Sequence, residues 1–239
     1  MIGIEFTRLN EGECLLCGAS RLLTGEHKIK ASLLKEEFGN RPAIISGKDR
    51  PRILQSPRSK HAHFNAGICE NCNTSGTQAA DRAFDQLHRG LKQLRMDGLA
   101  LTDENGQSMC RLPSNVTLNS FRYFAKLLCC FLAEVGGPRS RSLSAFALGL
   151  SHHNPIFLKI SQVQNYEAAL RELDTQGFAQ HGGLKFRFDD QKQCVTSLES
   201  SLSAGGIHYD FWVQLRWLPR LELNLGFADL VRNARRNID

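Results

Sequence analysis

Between Gln78 and Leu94 the apolar residues Ala80, Ala83, Phe84, Leu87, Leu91 and Leu94 recur at steps of three and four, the period of an amphipathic helix. Thr74, Ser75 and Thr77 just before it offer hydroxyls to cap its free amides. A second helical run is predicted from about Asn119 to Val135, stopped by Gly136, Gly137 and Pro138, and a third around Asn165 to Gln176. From Leu184 the period changes: Leu184, Phe186 and Phe188 alternate with charged neighbours, and Ile207 to Leu225 is rich in aromatic and aliphatic residues, which predicts a small antiparallel sheet. Within that stretch Tyr209, Phe211, Trp212 and Trp217 are expected in the core. Residues 97–118 are more polar and carry Gly98, Gly106 and Pro113, as a connection does. The expected fold class is α+β.

Composition narrows the class. The 239 residues are 41% hydrophobic and 23% charged, with a formal net charge of +6, which argues against a disordered chain and suits one large domain or two small ones. The longest apolar stretch, Leu127 to Ala133, is far short of the roughly 20 residues a membrane span needs. Met1 to Glu13 lacks the apolar core of a signal peptide, so a cytoplasmic protein with no membrane partner is expected. Positive charge is densest in Lys48 to Lys60, where Lys48, Arg50, Arg52, Arg58 and Lys60 stand against Asp49 alone, and Pro51 and Pro57 oppose regular structure. This predicts an exposed basic loop.

Eight cysteines in a reducing compartment are not read as a disulfide framework. Cys14 with Cys17, and Cys69 with Cys72, form two Cys-x-x-Cys pairs, and four thiolates complete a closed tetrahedral shell around a structural Zn2+. The competing readings are two chance pairs, or a redox motif that lacks its strand-to-helix surroundings. Cys110, Cys129, Cys130 and Cys194 show no ligand spacing and are read as small hydrophobes. His27, between the pairs, has an imidazole suited to deprotonate water near neutral pH. Glu26 and Asn73 offer the hard oxygen donors that Mg2+ or Mn2+ prefers, and such an ion stabilises charge on a phosphate. His61, His88, His152, His153, His181 and His208 have no ligand-like partners in the sequence.

Taken together, Cys14-Leu15-Leu16-Cys17-Gly18, Glu26-His27-Lys28-Ile29 and Ile68-Cys69-Glu70-Asn71-Cys72-Asn73 resemble the zinc-bearing HNH endonucleases of the ββα-metal superfamily. The resemblance covers residues 12–92. It implies that Glu26 binds the catalytic metal, that His27 activates water, and that Asn73 is the metal ligand at the start of a helix, making a His-Asn-Asn variant. The family's middle residue, an Asn that orients the base, falls where this chain has Phe64. Asn65 matches the residue type, and its side-chain carbonyl can accept from a ring nitrogen of His27. His63, on the other flank, is the alternative. Thr77 and Asp81 follow Asn73 at four-residue steps on one helix face. Asp81 there either orients a ligand or a lysine, or is a solvated helix charge.

The organisation expected is a zinc-stapled ββα-metal (HNH) domain over 1–95, a linker over 96–114, and an α+β C-terminal domain of helices then a small antiparallel sheet over 115–239. The C-terminal part would serve target recognition, dimerisation or partner docking. The expected function is a metal-dependent DNA endonuclease, with RNA left open as a substrate and a bacterial or phage restriction or defence role implied by family analogy alone. The basic loop would neutralise phosphates, with Arg139, Arg141, Arg232, Arg235 and Arg236 extending its surface. A homodimer or a regulatory protein partner fits the unread C-terminal half. The alternative is a catalytically inactive zinc-dependent nucleic-acid-binding or adaptor module. A zinc-stabilised interaction scaffold would leave the basic loop unexplained.

Overall fold

The structure, a computed structural model, describes residues 4–39, 43–46, 52–54, 59–172, 174, 177–191 and 193–236, of which 37–38, 43–46 and 52–54 are described by backbone alone. Short elements come first: β1 (Phe6–Thr7), β2 (Leu23–Thr24), α1 (Ala31–Phe38), β3 (Ala43–Ser46), β4 (Arg52–Leu54) and β5 (Ile68–Cys69). Leu23 pairs with Cys69 and Thr24 with Ile68, so β2 and β5 run antiparallel. The same two arms meet again as a bridge between His27 and His63.

The predicted amphipathic helix is α2 (Gln78–Met96), with Ala80, Ala83, Phe84, Leu87 and Leu91 buried. Its start is built differently from the expectation. Cys72–Gly76 is a π-helical turn, and α2 has no side-chain cap. The hydroxyls of Thr74, Ser75 and Thr77 instead donate back to the carbonyls of Glu70, Asn71 and Cys72, the local bonding that competes with capping.

The next helix, α3 (Ser114–Glu134), starts before the expected Asn119 because its first turn carries mostly solvent-facing residues with no apolar period. It ends where predicted. Gly136 takes a left-handed φ of +71°, and the Gly137 N–H donates to the Leu132 carbonyl at 2.9 Å. A Cβ at Gly137 would stand 2.6 Å from that carbonyl oxygen. Beyond it come β6 (Arg139–Ser140), paired with β1, and α4 (Arg141–Ala147), capped by the Ser140 hydroxyl, which accepts from the Leu143 N–H.

The remaining elements are β7 (Ile156–Gln162), α5 (Tyr166–Glu172), β8 (Phe178–His181), β9 (Lys185–Phe188), β10 (Val195–Ala204), β11 (Ile207–Gln214), α6 (Trp217–Gly226) and α7 (Ala228–Arg236). Helices mixed with mainly antiparallel strands make the fold α+β. Among the described residues the main sheet has seven strands in the order β4-β3-β8-β10-β11-β7, with β9 beside β10. It is larger than expected, and β3, from the N-terminal half, joins it parallel to β8.

The sequence pattern does not single out β10 within the expected sheet, and two other expectations, on the end of that region and on Trp217, are corrected here. β10 has no aromatic residue and four serines, so it lacks a strand-like composition. Ser200 donates to the Gly183 carbonyl at 2.7 Å and Ser203 shares a hydrogen with His208 Nδ1 at 2.6 Å, which offsets the burial of these two hydroxyls. The end of the predicted sheet region is helical instead. In α6, Pro219 lies in the first turn, where a helix needs no N–H. Trp217 is 67% exposed and so is not a core residue, whereas Tyr209 and Phe211 are buried as expected.

Most of α3 is packed between α2 and the sheet. Phe84 stacks on Tyr123 with centroids 4.0 Å apart, and Phe124 meets Tyr209 and Phe211 at 5.5 and 5.0 Å. By length and composition α3 alone among the described helices could cross a membrane, but 61% of its apolar window is buried inside the protein. The buried side chains form a continuous cluster from Leu15 and Leu16 through α2 and α3 to β10 and β11, across the expected linker.

Candidate functional site

The first Cys-x-x-Cys turn closes through Gly18, whose N–H donates to the Cys14 carbonyl at 2.8 Å and whose φ of +75° favours a residue without a Cβ. Arg139 Nε holds the same turn by donating to the Leu16 carbonyl at 2.9 Å, which places this arginine in a structural role. The second pair spans the end of β5 and the start of the π-helical turn. Cys69 N–H donates to Cys14 Sγ at 3.3 Å, and the Cys17 and Cys69 sulfurs stand 3.8 Å apart. All four sulfurs lie within 4.8 Å of one another. A Zn–S bond of about 2.3 Å gives a tetrahedral edge of roughly 3.8 Å, so the cluster fits one metal ion such as zinc.

Its electrostatics agree with that fit. Burial raises the Cys14 thiol, but N–H groups of Cys17, Cys69 and Leu16 outweigh it and bring the pKa down to about 7. Burial pushes Cys17 and Cys72 up, and the neighbouring thiols add to the rise. One thiolate forms readily and opposes the next, so full ionisation calls for a cation. Cys129 and Cys130 are buried, and desolvation raises both thiols, Cys129 to about 12, as inert core residues require.

Further along the two arms that pair as β2 and β5, the His27–His63 bridge is fixed by Lys28 N–H donating to the Ala62 carbonyl and Phe64 N–H to the Glu26 carbonyl, each at 2.9 Å. The two imidazoles are 3.9 Å apart at their centroids. His63 Nδ1 lies 3.1 Å from the Ser59 carbonyl, which only accepts, so that nitrogen is the donor. Burial, helped by His63, holds the His27 pKa below its ordinary value of 6.5. His27 is therefore neutral at physiological pH and ready to accept a proton.

The structure brings His63, and not Asn65, to His27. Asn65 is exposed and engages Glu134, with its N–H donating to Oε2 at 2.6 Å and its Nδ2 directed at Oε1 at 3.4 Å. Asn73 Nδ2 donates to Thr24 Oγ1 at 3.0 Å, which ties the start of the π-helical turn to the strand leading into Glu26. This leaves Asn73 Oδ1 as the amide's acceptor.

Glu26 and Asp81 share a partner that the sequence reading does not single out. Lys126 Nζ lies 2.6 Å from Asp81 Oδ1 and 3.4 Å from Glu26 Oε1, with the lysine side chain only 1% exposed. Its signal was a lone cation inside the apolar run Phe124–Phe131, since a buried lysine requires a counter-charge. Burial works against the Lys126 ammonium, but Glu26 and Asp81 outweigh it and raise its pKa. Burial also raises the Glu26 carboxyl, with Lys126 opposing and Asp81 adding to the rise. Nearby, Lys28 pairs with Glu134 at 2.8 Å and Lys30 with Asp85 at 2.6 Å.

Of the basic loop, Lys48, Arg50 and Arg58 lie outside the described residues, and Arg52 is described only as backbone of β4. Lys60 is exposed and opens the 3-10 turn Lys60–Ala62 that leads into His63. Among the described residues, the four cysteines are the only group of three or more His, Cys, Asp or Glu side chains close enough to share an ion. In comparisons with known proteins, no protein-family model, curated protein or solved structure matches the chain.

Proposed function

We propose that this protein is an endonuclease of the HNH type that hydrolyses phosphodiester bonds in DNA. The observation that carries the reading is the His27–His63 bridge, which sets a neutral, half-buried imidazole on the arm that β2 pairs with Cys69, a member of the cysteine cluster suited to a metal ion. In this reading His27 takes a proton from water as the oxygen attacks phosphorus, and the P–O bond to the leaving oxygen breaks. His63 fixes the ring of His27 by packing against it. Zinc on Cys14, Cys17, Cys69 and Cys72 is structural, because four thiolates close its shell. Glu26 and Asn73 present hard oxygen donors and would hold Mg2+ or Mn2+, which when bound stabilises charge on the phosphate and leaving oxygens. Lys60 and the basic segment before it would contact phosphates without reading sequence.

The test is supercoiled plasmid incubated at low salt with Mg2+, Mn2+ or EDTA, using wild type and His27→Ala. Nicking and linearisation by wild type with metal, and none by the variant despite retained DNA binding, is the expected result. Equal cutting by the variant would end the assignment of His27. A second reading, an inactive nucleic-acid-binding module, is favoured by the ammonium of Lys126 beside Glu26. It expects salt-sensitive DNA binding and no cutting in any condition.

A further inference from the structure

In the segment Glu26-His27-Lys28 an acid and a base flank His27, and α3 answers them with the opposite signs. Lys126 meets Glu26, and Glu134, two turns further along the same helix face, meets Lys28. His27, between them, turns instead to His63. Helix α3 is thus keyed to the motif on both sides of the candidate base.

Lys126 has little freedom to leave. Phe124, Ala125, Leu127 and Leu128 around it are all buried, and its Nζ also lies 5.4 Å from the Tyr123 ring centroid. Its charge is therefore fixed against Glu26 Oε1 and Asp81 Oδ1. Removing it would leave two partly buried carboxylates with no ion-pair partner among the described residues, an arrangement that strongly favours uptake of another cation. With Lys126 present, an ion arriving at Glu26 meets a like charge on the same carboxylate.

We propose that Lys126 is the built-in counter-ion of this site, a positioning residue supplied by α3 that joins the Glu26 and Asp81 carboxylates and limits how tightly Glu26 takes a divalent ion. The proposal rests on the reading of Glu26 as the metal-facing carboxylate. Its consequence is that metal demand at the N-terminal motif is set by the C-terminal half of the chain.

The experiment titrates Mn2+ into full-length, zinc-loaded wild type, Lys126→Met and Lys126→Met/Glu26→Gln, by calorimetry and by thermal unfolding. Lys126→Met is expected to bind Mn2+ at least tenfold more tightly than wild type and to gain thermal stability from it. The added Glu26→Gln change should abolish both gains. Should Lys126→Met fail to fold, Lys126→Met/Asp81→Asn removes the like-charge repulsion and must still bind Mn2+ more tightly than wild type. Affinity no higher than wild type in the folded variants, or a gain that survives Glu26→Gln, would overturn the proposal. Failure of plasmid cutting in every variant would count against the nuclease assignment and leave the Mn2+ comparison to decide on Lys126.

Discussion

His27 and His63 face each other across an antiparallel bridge with their rings 3.9 Å apart and tilted by 47°. Two imidazoles this close oppose double protonation, and partial burial adds to the effect on His27. A base must be neutral to act, so in the proposed nuclease a pKa below the ordinary 6.5 would extend activity to lower pH. Plasmid cleavage should therefore rise with pH on an acid limb centred below about 6.5 and then level off. In His63→Ala the remaining cleavage should show that limb moved to higher pH. A pH–rate profile from about pH 5 to about pH 8 checks this, and an unmoved limb would remove His63 from the account.

Asn65 and His63 make opposite predictions as partners of the base. Asn65 is committed to Glu134 through its backbone N–H and its amide. Asn65→Ala keeps the backbone bond, so stability should change by about 0.5 kcal/mol and cleavage by less than about twofold. His63→Ala removes the packing surface of His27 and should lower cleavage at neutral pH by about tenfold or more. Single-turnover rates at saturating enzyme separate the two, and the reverse ordering would restore Asn65 to the middle position.

The cysteine cluster predicts a metal-dependent fold. Cys14 and Cys69 are buried, and the Cys69 N–H donates to Cys14 Sγ, so the cluster is part of the core and not an appendage. Binding at such sites is worth about 10 kcal/mol or more, comparable to the stability of a whole domain. Cys69→Ser is expected to lose bound zinc and cooperative unfolding, whereas Cys129→Ala should keep its zinc. Metal analysis alongside calorimetry checks both, and normal unfolding of zinc-free Cys69→Ser would refute the clasp.

Where the sequence was readable, a short-range pattern was tied to burial. The step of three and four in α2 and the glycines after α3 needed no tertiary information. The cysteine spacing likewise implied a cluster, because each pair makes its own tight turn. Strand β10 was hidden because Ser200 and Ser203 satisfy their hydroxyls only after folding, through Gly183 and His208. Helix α6 was misread because the exposed Trp217 and Leu225 carry apolar character without burial. At the candidate site, Glu26 and His27 were legible as a dipeptide. The choice between Asn65 and His63 depended on strand register, and Lys126 depended on a helix far along the chain.

His181 gives a prediction on acid stability. It lies at the end of β8, 5% exposed, with its ring 5.8 Å from that of Phe131. Neither ring nitrogen has a hydrogen-bond partner among the described residues. Burial, with Lys28 adding to it, brings its pKa down to about 4 from 6.5. Above pH 6.5 the ring is neutral whether the chain is folded or not, so it has no effect on the pH dependence there. Between 6.5 and about 4 the unfolded chain binds a proton that the folded chain refuses, and stability falls as pH falls. The loss by pH 5 from this residue should be about 2 kcal/mol. His181→Leu keeps an apolar side chain in place and removes the titration. Urea unfolding at about pH 7 and about pH 5 should show the variant losing about 2 kcal/mol less than wild type between the two. Equal losses would mean that His181 is solvated or partnered in solution, and that the acid sensitivity of the fold lies elsewhere.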